Sequence, residues 1–343
     1  MRDQTNVNMA DVARQAGVST ATVSRALRDM PGVSIATRDR IKRIADELSY
    51  VVSPEASGLS SGSTGRVAAV VPSIDIWYFA TMLAGIDSVL RRAELDLLVY
   101  HVENAAERER FFDRLPARRK VDAVVVIAMP LPEQDAERLD LMGVQVVVAG
   151  GQLRDYPHVR IDDIEVAHQV VEHFTDLGHT RIGMIRTSDP AGATWAGDLA
   201  RTHGFRIAMD EAGLKLDDEL IVTVPYAVDG GADAMDRLLS MRKPPTAVFA
   251  YSDEVAAGAL RSLRRADIAV PEQMSICGVD NHPIADLLDL TTVHQPVEAQ
   301  GAAAGQMLVD IIEGRTPKQQ QLVLPTHLVV RATTGPPPPD ADR

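Results

Sequence analysis

The 343-residue chain has one cysteine, 14 aromatic residues and no long apolar run. A lone Cys277 excludes an internal disulfide and a cysteine-based zinc finger, which fits a reducing cytoplasm. No run reaches the roughly 18 apolar residues of a membrane-spanning helix. The N-terminal MRDQTNVNMADVARQ lacks the apolar stretch of a signal peptide. The expected setting is therefore cytoplasmic, without a membrane partner. Enzyme signatures are scarce too: no GxGxxG follows a strand, and there is no P-loop lysine and no GxSxG elbow. His168, Glu172 and His173 form HxxxEH, the wrong spacing for an inverted zinc-protease site. Cys277 sits in an apolar run and reads as core. The expectation is a protein that is not an enzyme and has neither cofactor nor metal.

Cations are also in short supply, 35 Lys and Arg against 48 Asp and Glu, for a net charge of −13. Affinity for phosphate rests on Lys and Arg, so the average speaks against nucleic acid. The distribution reverses that. Residues 1–64 carry 8 basic and 7 acidic side chains, leaving 27 against 41 for the rest. Residues 20–43 hold six basic residues against Asp29 and Asp39.

In this head, Asn8 and Asp11 are spaced as a capping box, and Val12, Ala13 and Ala16 form an apolar face. Gly17 ends that helix and Ser19 caps the next, so a three-residue turn joins them. Val23, Ala26 and Leu27 are then core, which leaves Thr20, Ala21, Thr22, Ser24 and Arg25 outward. A third helix is expected over about 36–48. A plain three-helix bundle with a solvated face is one reading. A helix-turn-helix explains more: small hydroxyls and an arginine at the start of the second helix suit base edges in a major groove. Arg25 can fork onto a guanine, and Ser19, Ser34 and Thr37 can take phosphates.

Nine of residues 53–65 are Ser, Gly or Thr, the composition of a linker. From Arg66 onward, β-branched runs such as RVAAVVP, VDAVVVIAM and TAVFAY alternate with helical stretches, the pattern of parallel sheets covered on both faces. Two such units fit, one centred on 66–160 and one on 162–290. Ligands of open α/β sheets bind beyond the carboxyl ends of the strands. Trp77, Tyr78 and Phe79 stand consecutively after the first body strand, Trp195 follows RIGMI, and Tyr226 follows IVTVP. Aromatics are rare in this chain, and several on loops at strand ends point to a stacking pocket.

The head resembles the helix-turn-helix of the lactose/galactose repressor (LacI/GalR) family. D-V-A-x-x-A-G-V-S-x-x-T-V-S-R-x-L runs here from Asp11 to Leu27, followed by Val33–Ile41 and Leu48–Tyr50. LGHTRIGMI, R-T-H-G-F, AYSDEVAAGALRSL, VPEQMSICGVD and LTTVHQP are similar to the effector-binding body of the same repressors. The resemblance implies an α/β fold: a three-helix head plus a periplasmic-binding-protein-like body of two doubly wound parallel-sheet subdomains. The expected boundaries are 1–52 for the head, 53–65 for a hinge, 66–334 for the body and 335–343 for a disordered tail. Within the body, 66–161 joins 293–320 and 162–290 joins 321–334.

The resemblance further implies a transcriptional regulator, usually a repressor. It would be a homodimer, or alternatively a tetramer, on a pseudo-palindromic DNA operator, controlled by a small molecule such as a sugar. Leu59, beside Ala56, falls where a hinge leucine wedges into the minor groove, and Tyr50 ends the head motif. Arg201 and Asp280 match ligand-holding positions, Tyr78 and Phe79 match stacking aromatics, and Trp195, Tyr226, Ser252 and Asp253 lie at or near further contacts. The chain departs from the family at Val52, Ser57, Gly58, Ser252 and Asp163. A solute-binding protein without DNA function is the alternative reading, though the intact head speaks against it.

Overall fold

The computed structural model describes residues 7–50, 63–102, 104–114, 120–129, 131, 133–188 and 196–339. The chain divides into two units, Met1–Gly65 and Arg66–Arg343. Most of the hinge, including Ala56 and Leu59, lies outside the described residues.

In the head, α1 (Met9–Ala16), α2 (Thr20–Leu27) and α3 (Ile35–Glu47) surround a small core. The Asn8 side chain accepts from the backbone N–H of Ala10 and Asp11, and the Asp11 carboxylate accepts from the Asn8 N–H at 3.0 Å. Gly17 ends α1 at φ 65, a left-handed conformation that costs glycine little. Ser19 and Ser34 cap α2 and α3 by accepting from the N–H of Thr22 and Thr37. Val12, Val23, Ala26 and Ile41 are fully buried at the centre.

The body opens with β1 (Arg66–Val71), α4 (Trp77–Leu90), β2 (Asp96–His101), α5 (Ala105–Arg114), β3 (Ala123–Ile127), α6 (Glu133–Met142), β4 (Gln145–Ala149) and β5 (His158–Arg160). It continues through α7 (Asp163–Asp176), β6 (Ile182–Ser188), α8 (Ala196–Glu211), β7 (Ile221–Pro225), α9 (Val228–Leu239), β8 (Ala247–Ala250), α10 (Asp253–Arg265) and β9 (Ser275–Asp280). It closes with α11 (Pro283–Leu287), β10 (Thr291–His294), α12 (Val297–Ile312), β11 (Gln321–Val323) and β12 (His327–Val329). Two six-stranded sheets result, ordered β2-β1-β3-β4-β5-β11 and β7-β6-β8-β9-β10-β12. The first is wholly parallel; in the second, β12 runs antiparallel to β10. Strands such as β3 and β9 are buried along their whole length, as helices on both faces require. In each sheet the strand order reverses at the first strand, so the crevice for a ligand opens beyond the carboxyl ends there.

The chain passes between the sheets three times: after β5, between β10 and α12, and between β11 and β12. This corrects the expected division. Gln321–Val323 pairs with β5 of the first sheet rather than joining the second subdomain, and Val293 and His294 belong to the second sheet. A three-residue edge strand carries too little pattern to declare its sheet. The start of the supposed tail is also anchored: Gly335 is buried and its carbonyl accepts hydrogen bonds from Ser275 Oγ and from His179. Trp77, Tyr78 and Phe79, expected on a loop, form the first turn of α4.

Candidate functional site

The carboxyl ends of both sheets face one cleft with an empty volume of about 610 Å³ up to its open mouth. The first subdomain contributes Ile76, Tyr78 and Phe79 after β1, Ala128 after β3 and Gly150 after β4. The second contributes Arg201 from α8, Tyr226 after β7, Tyr251 and Ser252 after β8, and Asp280 at the end of β9. Asp163 opens α7, Gln295 lies between β10 and α12, and Gln300 comes from α12. Convergence of so many strand ends on one hollow is the geometry of a ligand site in a doubly wound fold.

Arg201 is buried, and its Nε donates to Asp163 Oδ1 at 2.7 Å and its Nη1 to the Tyr251 carbonyl at 2.6 Å. Its guanidinium carbon lies 4.6 Å from the Tyr251 ring centroid. Burial pushes the Asp163 carboxyl up, against the lowering pull of Arg201. Asp280 is buried at φ 118, a region that non-glycine residues avoid, and such strain gathers at functional positions. Its Oδ1 accepts from Gln295 Nε2 at 2.5 Å, and Gln295 Oε1 accepts from Gln300 Nε2 at 3.0 Å. Burial lifts the Asp280 carboxyl to about 7, with Arg201 and Gln295 working the other way.

Of the expected aromatics, Tyr78, Phe79 and Tyr226 line the cleft, and Trp77 is not among the lining residues. Tyr78 and Phe79 meet edge to face at 5.3 Å. Gly150, at φ 71, leaves room for the Tyr78 hydroxyl; a Cβ there would run into it. Tyr226 donates to the Glu254 carboxylate and accepts from Ser252 Oγ at 3.3 Å, while its ring stands perpendicular to Tyr251. Trp195 lies outside the described residues.

Asp253 departs from expectation: it does not line the cleft. Fully buried at the start of α10, it accepts from Thr292 Oγ1 at 2.6 Å and from the His282 N–H at 2.8 Å. Its carboxylate stitches β10 and the β9–α11 loop to α10. Sequence reasoning misplaced it because a carboxylate just after a strand looks the same whether it faces ligand or core. It also passed over Tyr251, Gln295 and Gln300 as contacts. Tyr251 lies inside the AYSDEVAAGALRSL match and Gln295 inside LTTVHQP, whereas Gln300 falls outside every match. Among the described residues no group of three or more His, Cys, Asp or Glu is placed to hold a metal ion. His173 instead hydrogen-bonds Thr334.

On the head, Ser19, Thr20, Ala21 and Arg25 are exposed, and Thr22 and Ser24 are half-buried. The Ser19 and Thr22 hydroxyls pair at 2.9 Å, the Ser34 and Thr37 hydroxyls at 2.8 Å, and Ser24 Oγ accepts from Arg28 at 2.7 Å. Arg25 Nε donates to the Ala21 carbonyl at 3.3 Å, which aligns its side chain along the outer face of α2. Tyr50 packs against the head core.

Residues 8–53 match the profile of bacterial regulatory proteins of the lacI family, and residues 171–334 match a periplasmic binding protein-like domain. The HTH-type transcriptional regulator DegA of Bacillus subtilis is 30% identical over 95% of this chain and 97% of its own length. The chain belongs to the LacI family. The HTH-type transcriptional repressor CytR of Escherichia coli K12 is also 30% identical, over 97% of this chain and 98% of its own. Among solved structures, a cellobiose complex of the transcriptional regulator CelR is 31% identical at a TM-score of 0.71, covering 95% of this chain and 99% of that one. The Lac repressor dimer bound to operator shares the fold at a TM-score of 0.83 with 22% identity, covering 96% and 99%. The present chain is accordingly a DNA-binding transcriptional regulator, with a helix-turn-helix head and a periplasmic-binding-like body. No described helix is long and apolar enough to cross a membrane.

Proposed function

We propose that this LacI-family regulator is a repressor whose grip on its operator is controlled by a carbohydrate bound in the body cleft. The observation that carries the reading is the cleft itself: Asp280, Arg201 and Gln295 stand beside Tyr78, Phe79, Tyr226 and Tyr251 between two subdomains. A carboxylate accepts from vicinal hydroxyls, an aromatic face covers the C–H side of a sugar ring, and closure around a ligand changes the subdomain angle. The likeness to CelR, solved with cellobiose, supports a saccharide.

On the DNA side, Thr20, Ala21, Thr22, Ser24 and Arg25 meet base edges, while Ser19, Ser34, Thr37 and Tyr50 flank the backbone. Each head serves one half-site, so a pseudo-palindromic operator calls for a homodimer. Leu59, with Ala56 near it in the sequence, supplies the minor-groove wedge.

A thermal-shift screen of mono- and disaccharides, with nucleosides as the competing class, tests the reading. The expected result is a saturable shift with a saccharide that also changes operator affinity. Shifts confined to nucleosides, or a saccharide shift without effect on DNA binding, would overturn it.

A further inference from the structure

Arg201 is the only cation among the described residues lining the cleft, where two carboxylates, Asp163 and Asp280, accompany it. This arginine is already engaged. Its side chain is 6% exposed and that of Asp163 is 17% exposed, with the Nε–Oδ1 contact at 2.7 Å and Nη1 held by the Tyr251 carbonyl. An incoming phosphate or carboxylate that takes both arms of the guanidinium must displace Asp163. That strands a buried carboxylate without its counter-charge, a strongly unfavourable state. Asp280 then stands as a second acid against the same anion.

The uncharged part of the lining also asks for donors. Gln300 is fully buried, and its Oε1 has no hydrogen-bond partner. Its orientation follows from the chain of bonds beginning at Asp280. Gln295 gives its amide N–H to Asp280 Oδ1, which turns its Oε1 toward Gln300. Gln300 must then give its N–H to Gln295, which leaves its own Oε1 as an unused acceptor on a residue that lines the cleft. A buried acceptor without a partner is costly, and a ligand donor relieves it.

We propose that the cleft selects a hydroxyl-rich ligand bearing no phosphate or carboxylate, with Asp163 disarming Arg201 toward anions and Gln300 Oε1 accepting a ligand hydroxyl. This rests on the reading of the cleft as the effector site and narrows the class it takes. Asp163 and Gln300 are the specificity-determining residues.

Calorimetric titration of the full-length chain with inorganic phosphate, and with neutral saccharides paired to their phosphates and aldonic acids, provides the test. Wild type is expected to show no saturable phosphate binding in the millimolar range. Asp163→Asn, which keeps the shape and removes the charge, is expected to gain it, and adding Arg201→Ala to lose it again. Each neutral saccharide that binds wild type should outbind its anionic partner at least tenfold, and Gln300→Leu should weaken it about tenfold.

The proposal is overturned if wild type binds phosphate in a manner lost with Arg201→Ala. An anionic saccharide that matches its neutral partner, or a folded Asp163→Asn that gains no anion, also overturns it. The wild-type titrations need no variant, so a misfolded Asp163→Asn leaves the proposal open to refutation. Silence from every saccharide together with the expected phosphate results would overturn the carbohydrate reading and uphold the exclusion of anions.

Discussion

Trp77 and His282 meet edge to face, ring centroids 4.8 Å apart, joining the first turn of α4 in one subdomain to the start of α11 in the other. The His282 ring is held in place, since its Nδ1 accepts from the Ile284 N–H at 2.8 Å and its backbone N–H reaches Asp253. Burial lowers the His282 pKa, so the ring stays neutral at physiological pH. The contact therefore helps set how the two subdomains face one another. Trp77→Ala is expected to weaken effector affinity about two- to tenfold, the value of one aromatic pair, while leaving operator affinity unchanged. Titration calorimetry and DNA-binding isotherms on the same sample check it.

Gly150 lines the cleft directly against the Tyr78 hydroxyl. Gly150→Ala places a methyl against the Tyr78 hydroxyl and puts a side chain on a left-handed backbone, at a cost of about 1–2 kcal/mol. A melting temperature lower by roughly 2–6 °C and loss of the saccharide-induced shift are expected, with DNA binding retained.

The Asp280 carboxyl, raised by burial to about 7, links ligand binding to pH. A hydroxyl that donates to the carboxylate finds its acceptor only once the proton has left. Affinity should therefore rise with pH up to about 7, by at most about tenfold per unit, and level off above. Stability runs the other way. Between about 3.8 and about 7 the native state holds a proton that the unfolded chain has released, so this group's contribution to stability falls as pH rises through that window. Asp280→Asn should flatten the affinity profile. Titrations from about pH 5.5 to 8.5 would show it.

Arg25→Ala should cost about 1–3 kcal/mol of operator binding and relax specificity at one base pair. The salt slope reports phosphate contacts, so it should stay nearly unchanged. Fluorescence anisotropy at several salt concentrations separates these two effects.

The head was legible because its determinants are local: Asn8, Gly17, Ser19 and Ser34 each act within a few residues of themselves. The strand rhythm of the body was equally plain, since a strand covered on both faces is apolar throughout. What escaped was tertiary. Gln321–Val323 is too short to announce its sheet, and Gly335 packs only because His179 and Ser275 wait for it. Asp253 closely follows one apolar strand and Asp280 ends another, yet one faces Thr292 and the other the cleft. Gln300, a polar residue on a largely apolar helix, gave no sign that it points inward.

The measurement that bears most directly on the whole account is an anisotropy titration on DNA from the chain's own upstream region at physiological salt. It compares wild type and Asp280→Ala, with and without the saccharide giving the largest thermal shift. Wild type is expected to bind that DNA about a thousandfold or more tighter than random sequence. Ligand should change this affinity roughly 5- to 150-fold, and Asp280→Ala should bind equally well but ignore the ligand. Equal affinity for random DNA, or an undiminished ligand response in Asp280→Ala, would contradict it.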